Sequence, residues 1–124
     1  MSKTILIVED QKGFRKVYSD MLSSHGYEPL TAEDGEQGWA MARDQKPHLI
    51  LLDLGLPLLD GIGVLERLKA DEATRAIPVI IFSVTGEGKD IQRAIELGAN
   101  DHVVKGMCPP SEVLKKVKNL LDGV

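Results

Sequence analysis

Cysteine is nearly missing from this chain: Cys108 stands alone among 124 residues. No internal disulfide can form and no thiolate cluster can hold a metal, which fits a reducing compartment with Cys108 as a small, semi-buried side chain. The three histidines, His25, His48 and His102, are scattered without ligand spacing, so no zinc site is expected. A basic excess is also lacking. Fifteen Lys and Arg against nineteen Asp and Glu leave a net charge of −4, too little concentrated positive charge to follow a phosphate backbone, so direct nucleic-acid binding is not expected. No apolar stretch approaches the roughly 20 residues a membrane helix needs, and the first residues lack the apolar region and cleavage site of a signal peptide. The expectation is a cytoplasmic protein without membrane insertion, and the length suits one domain over residues 1–124.

What is present centres on Leu49-Ile50-Leu51-Leu52-Asp53-Leu54-Gly55-Leu56-Pro57. Four branched apolar residues without polar alternation predict a strand buried on both faces, as in a parallel sheet covered by helices. The run ends on a carboxylate and breaks into a Gly/Pro turn. Open α/β sheets place their ligand crevice at the carboxyl ends of strands, so Asp53 is either a chemical group or an acid capping a turn.

Thr4-Ile5-Leu6-Ile7-Val8 is a similar short run ending on Glu9-Asp10. From Gln11 the period changes: Phe14, Val17, Tyr18, Met21 and Leu22 mark one face of a helix, stopped by Gly26. Residues 27–32 form a weaker strand with Pro29, which cannot donate to a ladder and so belongs at an edge. A helix follows over about 35–44 with Trp39 and Ala42 inward. After the central strand, Val64, Leu65 and Leu68 mark a third helix, and residues 78–83 form another buried strand ending on Ser83. Ile91, Ala94, Ile95 and Leu97 supply a fourth helical face. Residues 101–104 are a short strand ending on Lys105, and Val113, Leu114, Val117, Leu120 and Leu121 mark the last helix. Five strands alternating with five helices, each connection long enough for a right-handed crossover, predict a three-layer αβα sandwich around a parallel sheet.

The strand ends then bring Glu9-Asp10, Asp53, Ser83 and Lys105 to one edge. Three carboxylates in a small crevice repel one another and call for a cation, and hard oxygen donors suit Mg²⁺ better than zinc. Lys105 and Ser83 add a second positive charge and a hydroxyl, so a nucleophilic carboxylate would stand among groups that neutralise phosphoryl charge.

In this combination and order the sequence resembles a receiver domain of two-component response regulators, over essentially its whole length. The resemblance implies the flavodoxin-like strand order 2-1-3-4-5 and a phosphorylation-dependent signalling switch. Asp53 would accept a phosphoryl group from the phosphohistidine of a histidine kinase or histidine phosphotransfer protein. Asp10, Asp53 and the Gly55 carbonyl would hold Mg²⁺, with Glu9 acting through a metal-bound water. Ser83 and Lys105 would contact the phosphoryl oxygens, a pull on Ser83 would reposition the loop after it, and His102 would occupy the aromatic switch position. The changed face would bind a downstream effector protein or domain. Such a module assists its own phosphoryl transfer without being an enzyme.

Three positions depart from the family pattern. Gly106 follows Lys105 where proline, often cis, is usual; a cis Lys-Gly bond would cost about 3 kcal/mol, so a trans or strained bond is expected. Val84 replaces a small residue after the switch hydroxyl and is expected to cover the phosphoryl group partly. His102 replaces Tyr or Phe, and stands either as a charge-responsive ring turned inward in the active form or as an exposed edge-strand side chain.

Three other functions compete. A flavodoxin-like electron carrier needs a phosphate-binding loop after the first strand, where Glu9-Asp10-Gln11 has the wrong charge. A haloacid-dehalogenase-type phosphatase places a second acid two residues past its nucleophile, where this chain has Gly55. A constitutive docking module, its phosphorylation site impaired by Gly106, is the remaining alternative.

Overall fold

The computed structural model describes residues 2–84 and 89–123. Its elements alternate as β1 (Thr4–Val8), α1 (Lys12–Ser24), β2 (Glu28–Ala32), α2 (Gly35–Gln45), β3 (Leu49–Asp53), α3 (Gly61–Ala70), β4 (Val79–Ser83), α4 (Lys89–Glu96), β5 (Asp101–Val104) and α5 (Pro110–Asp122). All five strands are parallel, in the order β2-β1-β3-β4-β5. The expected doubly covered sheet is what forms, and Pro29 sits on the edge strand β2.

Period-two alternation divides each central strand between two cores. Leu6, Val8, Ile50, Leu52, Val79 and Ile81 pack toward Ala42, Val64, Leu65, Leu68 and Ala94 of α2, α3 and α4. Ile5, Ile7, Leu49, Leu51, Ile80 and Phe82 pack toward Tyr18 and Leu22 of α1 and Val113 and Val117 of α5. Every residue of β3 is buried, which is why its sequence shows no polar alternation.

Helix starts follow local chemistry. Asp34 and Asp60 accept hydrogen bonds from the N–H groups of Gln37 and Gly63, both at 2.8 Å, and so cap α2 and α3. Pro110 opens α5 where a missing N–H is harmless. Two side chains assigned inward by helical period lie outside the core: Val17 is 52% exposed and Ile95 45%. Their chain neighbours Tyr18 and Ala94 are buried, so each lies at the margin of its helix's apolar stripe. Trp39 is half-buried against the α2/α3 core, with the Arg43 guanidinium 5.7 Å from its ring centroid.

The register sets the site. Val8 pairs with Leu52, Asp53 with Phe82, and Ser83 with Val104. Glu9, Asp53, Ser83 and Lys105 therefore leave the sheet at adjacent points of one edge. The Lys105 N–H donates to the Ser83 carbonyl at 2.8 Å, extending the β4/β5 ladder one residue further.

Candidate functional site

Asp53 ends β3 and is 4% exposed, while Glu9 follows β1 and is 1% exposed. Two buried carboxylates side by side need compensating charge. Lys105 supplies it, with Nζ 2.6 Å from Glu9 Oε2 and 3.3 Å from Asp53 Oδ2. The Gly55 N–H donates to Asp53 Oδ1 at 3.1 Å, and the Gln11 N–H donates to Glu9 Oε1 at 3.1 Å. Asp10 is exposed at the rim. One oxygen from each of Glu9, Asp10 and Asp53 lies within 4.8 Å of the others.

Burial pushes the Glu9 carboxyl above its ordinary value, and the Asp53 charge adds to the rise. The Lys105 ammonium and the Gln11 N–H pull it part of the way back. The folded state therefore holds a proton on Glu9 at pH values where the unfolded chain has lost it. Stability falls as pH rises from the ordinary value of 4.5 through the folded value, and levels off above it. The stability difference between wild type and Glu9→Gln, followed by urea unfolding against pH, should decline in that window; a difference that grows with pH would contradict the assignment.

The Lys105 contact with Glu9 is an ion pair lying off the hydrogen-bond axis, so buried Glu9 Oε2 has charge compensation without an aligned donor. Together with the oxygen-only donor set, that under-satisfied oxygen fits a hard divalent cation.

The remaining predicted residues take varied positions. Ser83 ends β4 and is 8% exposed. Val84 follows it and is 75% exposed, and His102 lies exposed on β5. The loop whose movement was expected after Ser83 includes residues 85–88, which lie outside the described residues. The Lys105-Gly106 bond is trans, and Gly106 has φ +82°. Proline's ring locks φ near −65°, so this backbone could not carry the proline that the family pattern places there.

Two further neighbours were not singled out by their sequence. Arg15 donates from Nη1 to the Glu9 carbonyl at 2.8 Å, bracing the turn after β1. Phe14, legible only as part of a helical apolar face, lies beneath the Lys105 ammonium, 4.7 Å from ring centroid to Nζ.

The family described as "Response regulator receiver domain" matches residues 5–118. The phosphate regulon transcriptional regulatory protein PhoB of Pseudomonas aeruginosa is 40% identical over 121 residues, covering 98% of this chain and 52% of that protein. This chain thus spans about half the length of the curated relatives it matches. A putative response regulator from Chloroflexus aurantiacus superposes with a TM-score of 0.91 at 28% identity, covering 98% of this chain and 99% of that one. The receiver domain of a sensor histidine kinase from Pseudomonas aeruginosa, solved with a magnesium ion coordinated in its active-site cleft, gives 0.89 at 29% identity, with 98% and 99% covered.

Proposed function

The chain belongs to the response regulator receiver family, and from that premise we propose that it is a switch thrown by phosphorylation of Asp53. One observation carries the reading: a buried carboxylate at the end of the central strand lies 3.3 Å from a lysine and shares a crevice with two more acids. In the transfer step, an Asp53 carboxylate oxygen attacks the phosphorus of a phosphohistidine. The P–N bond breaks, its electron pair returns to the imidazole nitrogen, and an acyl phosphate remains on Asp53.

Asp10, Asp53 and the Gly55 carbonyl would hold Mg²⁺, with Glu9 acting through a water, and Mg²⁺ is the ion present in the similar receiver domain above. When bound, it neutralises the crowded carboxylates and the incoming phosphoryl oxygens. Lys105 presents its ammonium from the carboxyl end of β5, on the same sheet edge, and meets the charge that develops during transfer. Ser83 then donates its hydroxyl to a phosphoryl oxygen, and His102 turns inward behind it, changing the face offered to an effector protein or domain. A histidine kinase or histidine phosphotransfer protein is the upstream partner. The chain acts on itself and turns over no separate substrate, so it is not an enzyme in the usual sense.

That Lys105 reaches both buried carboxylates despite Gly106 favours a working site over a constitutive docking surface. The transcriptional regulators among the relatives suggest an output domain joined to the receiver. Beryllofluoride with Mg²⁺, followed by backbone NMR, tests the switch. The expected result is a saturable set of shifts around residues 53, 83 and 102 that is absent in Asp53→Asn. Silent spectra in wild type would favour constitutive docking.

Val84 follows Ser83 and is 75% exposed, and on this reading its branched side chain hinders water approaching the acyl phosphate. Val84→Ala should shorten the phosphoprotein's lifetime several-fold, measured as phosphate release after the donor is removed. An unchanged rate would discard this role.

A further inference from the structure

We propose that Phe14 is a positioning residue for Lys105, its ring serving as the seat that aims the ammonium at Asp53. The proposal rests on Asp53 being the phosphoacceptor. Lys105 is followed by Gly106, whose φ of +82° places it in a turn with no side chain to restrain it, and a Cβ built there would meet nothing within 4 Å. The Lys105 backbone is held by its N–H bond to the Ser83 carbonyl at 2.8 Å, but that bond leaves the long side chain free to rotate, so it does not by itself fix where the ammonium goes. Yet that side chain is only 12% exposed, and its ammonium contacts two carboxylates.

The missing constraint comes from α1. The Phe14 ring centroid lies 4.7 Å from Lys105 Nζ, within the range in which the negative face of an aromatic ring attracts a cation. The ring is itself held. It stacks on Tyr18 at 4.6 Å and 27°, and meets Phe82 edge-on at 5.3 Å and 82°. Tyr18 and Phe82 in turn pack edge to face at 5.4 Å. Both are nearly fully buried, so the platform belongs to the core beneath the site. Phe14 and Gly106 also line one surface groove, which places the ring beside the turn that follows Lys105.

The ammonium is thus bounded by Glu9, Asp53 and an aromatic face. Electrostatic attraction alone would let a flexible lysine point anywhere along the carboxylates, and the ring narrows that choice. Phe14 touches no reacting atom. It acts through Lys105, and a side chain of similar bulk without a π-face should not replace it.

Three variants separate this role from packing. Phe14→Met keeps apolar bulk and loses the ring, Phe14→Leu removes both ring and some volume, and Phe14→Tyr keeps the ring. Asp53 phosphorylation by acetyl phosphate with Mg²⁺ should slow about three- to tenfold in Phe14→Met and Phe14→Leu, and recover in Phe14→Tyr. Independently of activity, the Lys105 Cε protons should resonate upfield in wild type and Phe14→Tyr through the ring current, and move downfield in the other two. Phe14→Met at the wild-type rate, or a Lys105 proton shift indifferent to the ring, would overturn the proposal. The shift reports only that the ring lies over the ammonium; slowing in Phe14→Met with an unchanged urea midpoint separates aiming of Lys105 from loosening of the core. Failure of wild type to become phosphorylated would instead overturn the assignment of Asp53.

Discussion

Lys105→Met should slow phosphorylation of Asp53 about a hundredfold and destabilise the fold by about 3 kcal/mol at neutral pH. The two effects have one origin. Lys105 is the cation within ion-pair distance of both Glu9 and Asp53 among the described residues. Methionine preserves most of the apolar stem, so the losses come from charge. Without the ammonium, a carboxylate that is 1% exposed keeps its desolvation cost and loses its partner. Glu9 is already pushed up by burial and pulled back in part by Lys105, so its value should climb further in the variant. The sign follows: the stability deficit against wild type shrinks as pH falls and Glu9 takes up its proton, and grows as pH rises through the new value. Urea unfolding across that range, paired with acetyl phosphate kinetics, measures both. A pH-independent deficit would place the effect in packing rather than in the buried charge.

Gly61→Ala should cost about 2 to 3 kcal/mol and also impair phosphorylation, although the residue carries no functional group. Gly61 opens α3 directly against the end of β3, and its N–H donates to the Leu54 carbonyl at 3.1 Å. A Cβ there would collide with the Asp53 carbonyl oxygen, come within 2.5 Å of Leu54 Cα and lie 3.0 Å from the Asp53 carbonyl carbon. Backbone atoms cannot swing aside as a flexible side chain can, so α3 must lift or the end of β3 must shift. The second response misplaces Asp53, and displacement by about 1 Å can cost on the order of a hundredfold in a positioned reaction. A lowered urea midpoint with unchanged slope, together with slower phosphorylation, is the expected pair. Wild-type stability would mean that the helix start yields without strain.

The sheet was legible because burial on both faces writes itself into sequence as unbroken apolar runs, as in Leu49–Leu52 and Val79–Phe82. Parallel order then brings the residues that follow the runs to one edge. That is why Glu9, Asp53, Ser83 and Lys105 can be grouped from the sequence alone. What pattern could not supply is pairing. Whether Lys105 leans to Glu9 or to Asp53 depends on a few ångströms of register and rotamer. Phe14 has the same helical spacing as any core residue, and only its height on α1 puts the ring under an ammonium. Val17 and Ile95 show the opposite error: spacing gives the direction of a stripe but not how far burial extends across it. Gly106 looked like a defect beside the lysine. Its left-handed backbone instead suits a turn that proline could not make.

The central claim is that Asp53 is the phosphoacceptor, and incubation with acetyl phosphate and Mg²⁺ followed by intact-mass measurement and peptide mapping tests it most directly. The account predicts one added phosphoryl group in wild type, on the peptide carrying Asp53, lost on metal chelation before the donor is added and absent in Asp53→Asn. An unmodified wild-type chain, or equal modification of Asp53→Asn, would contradict it.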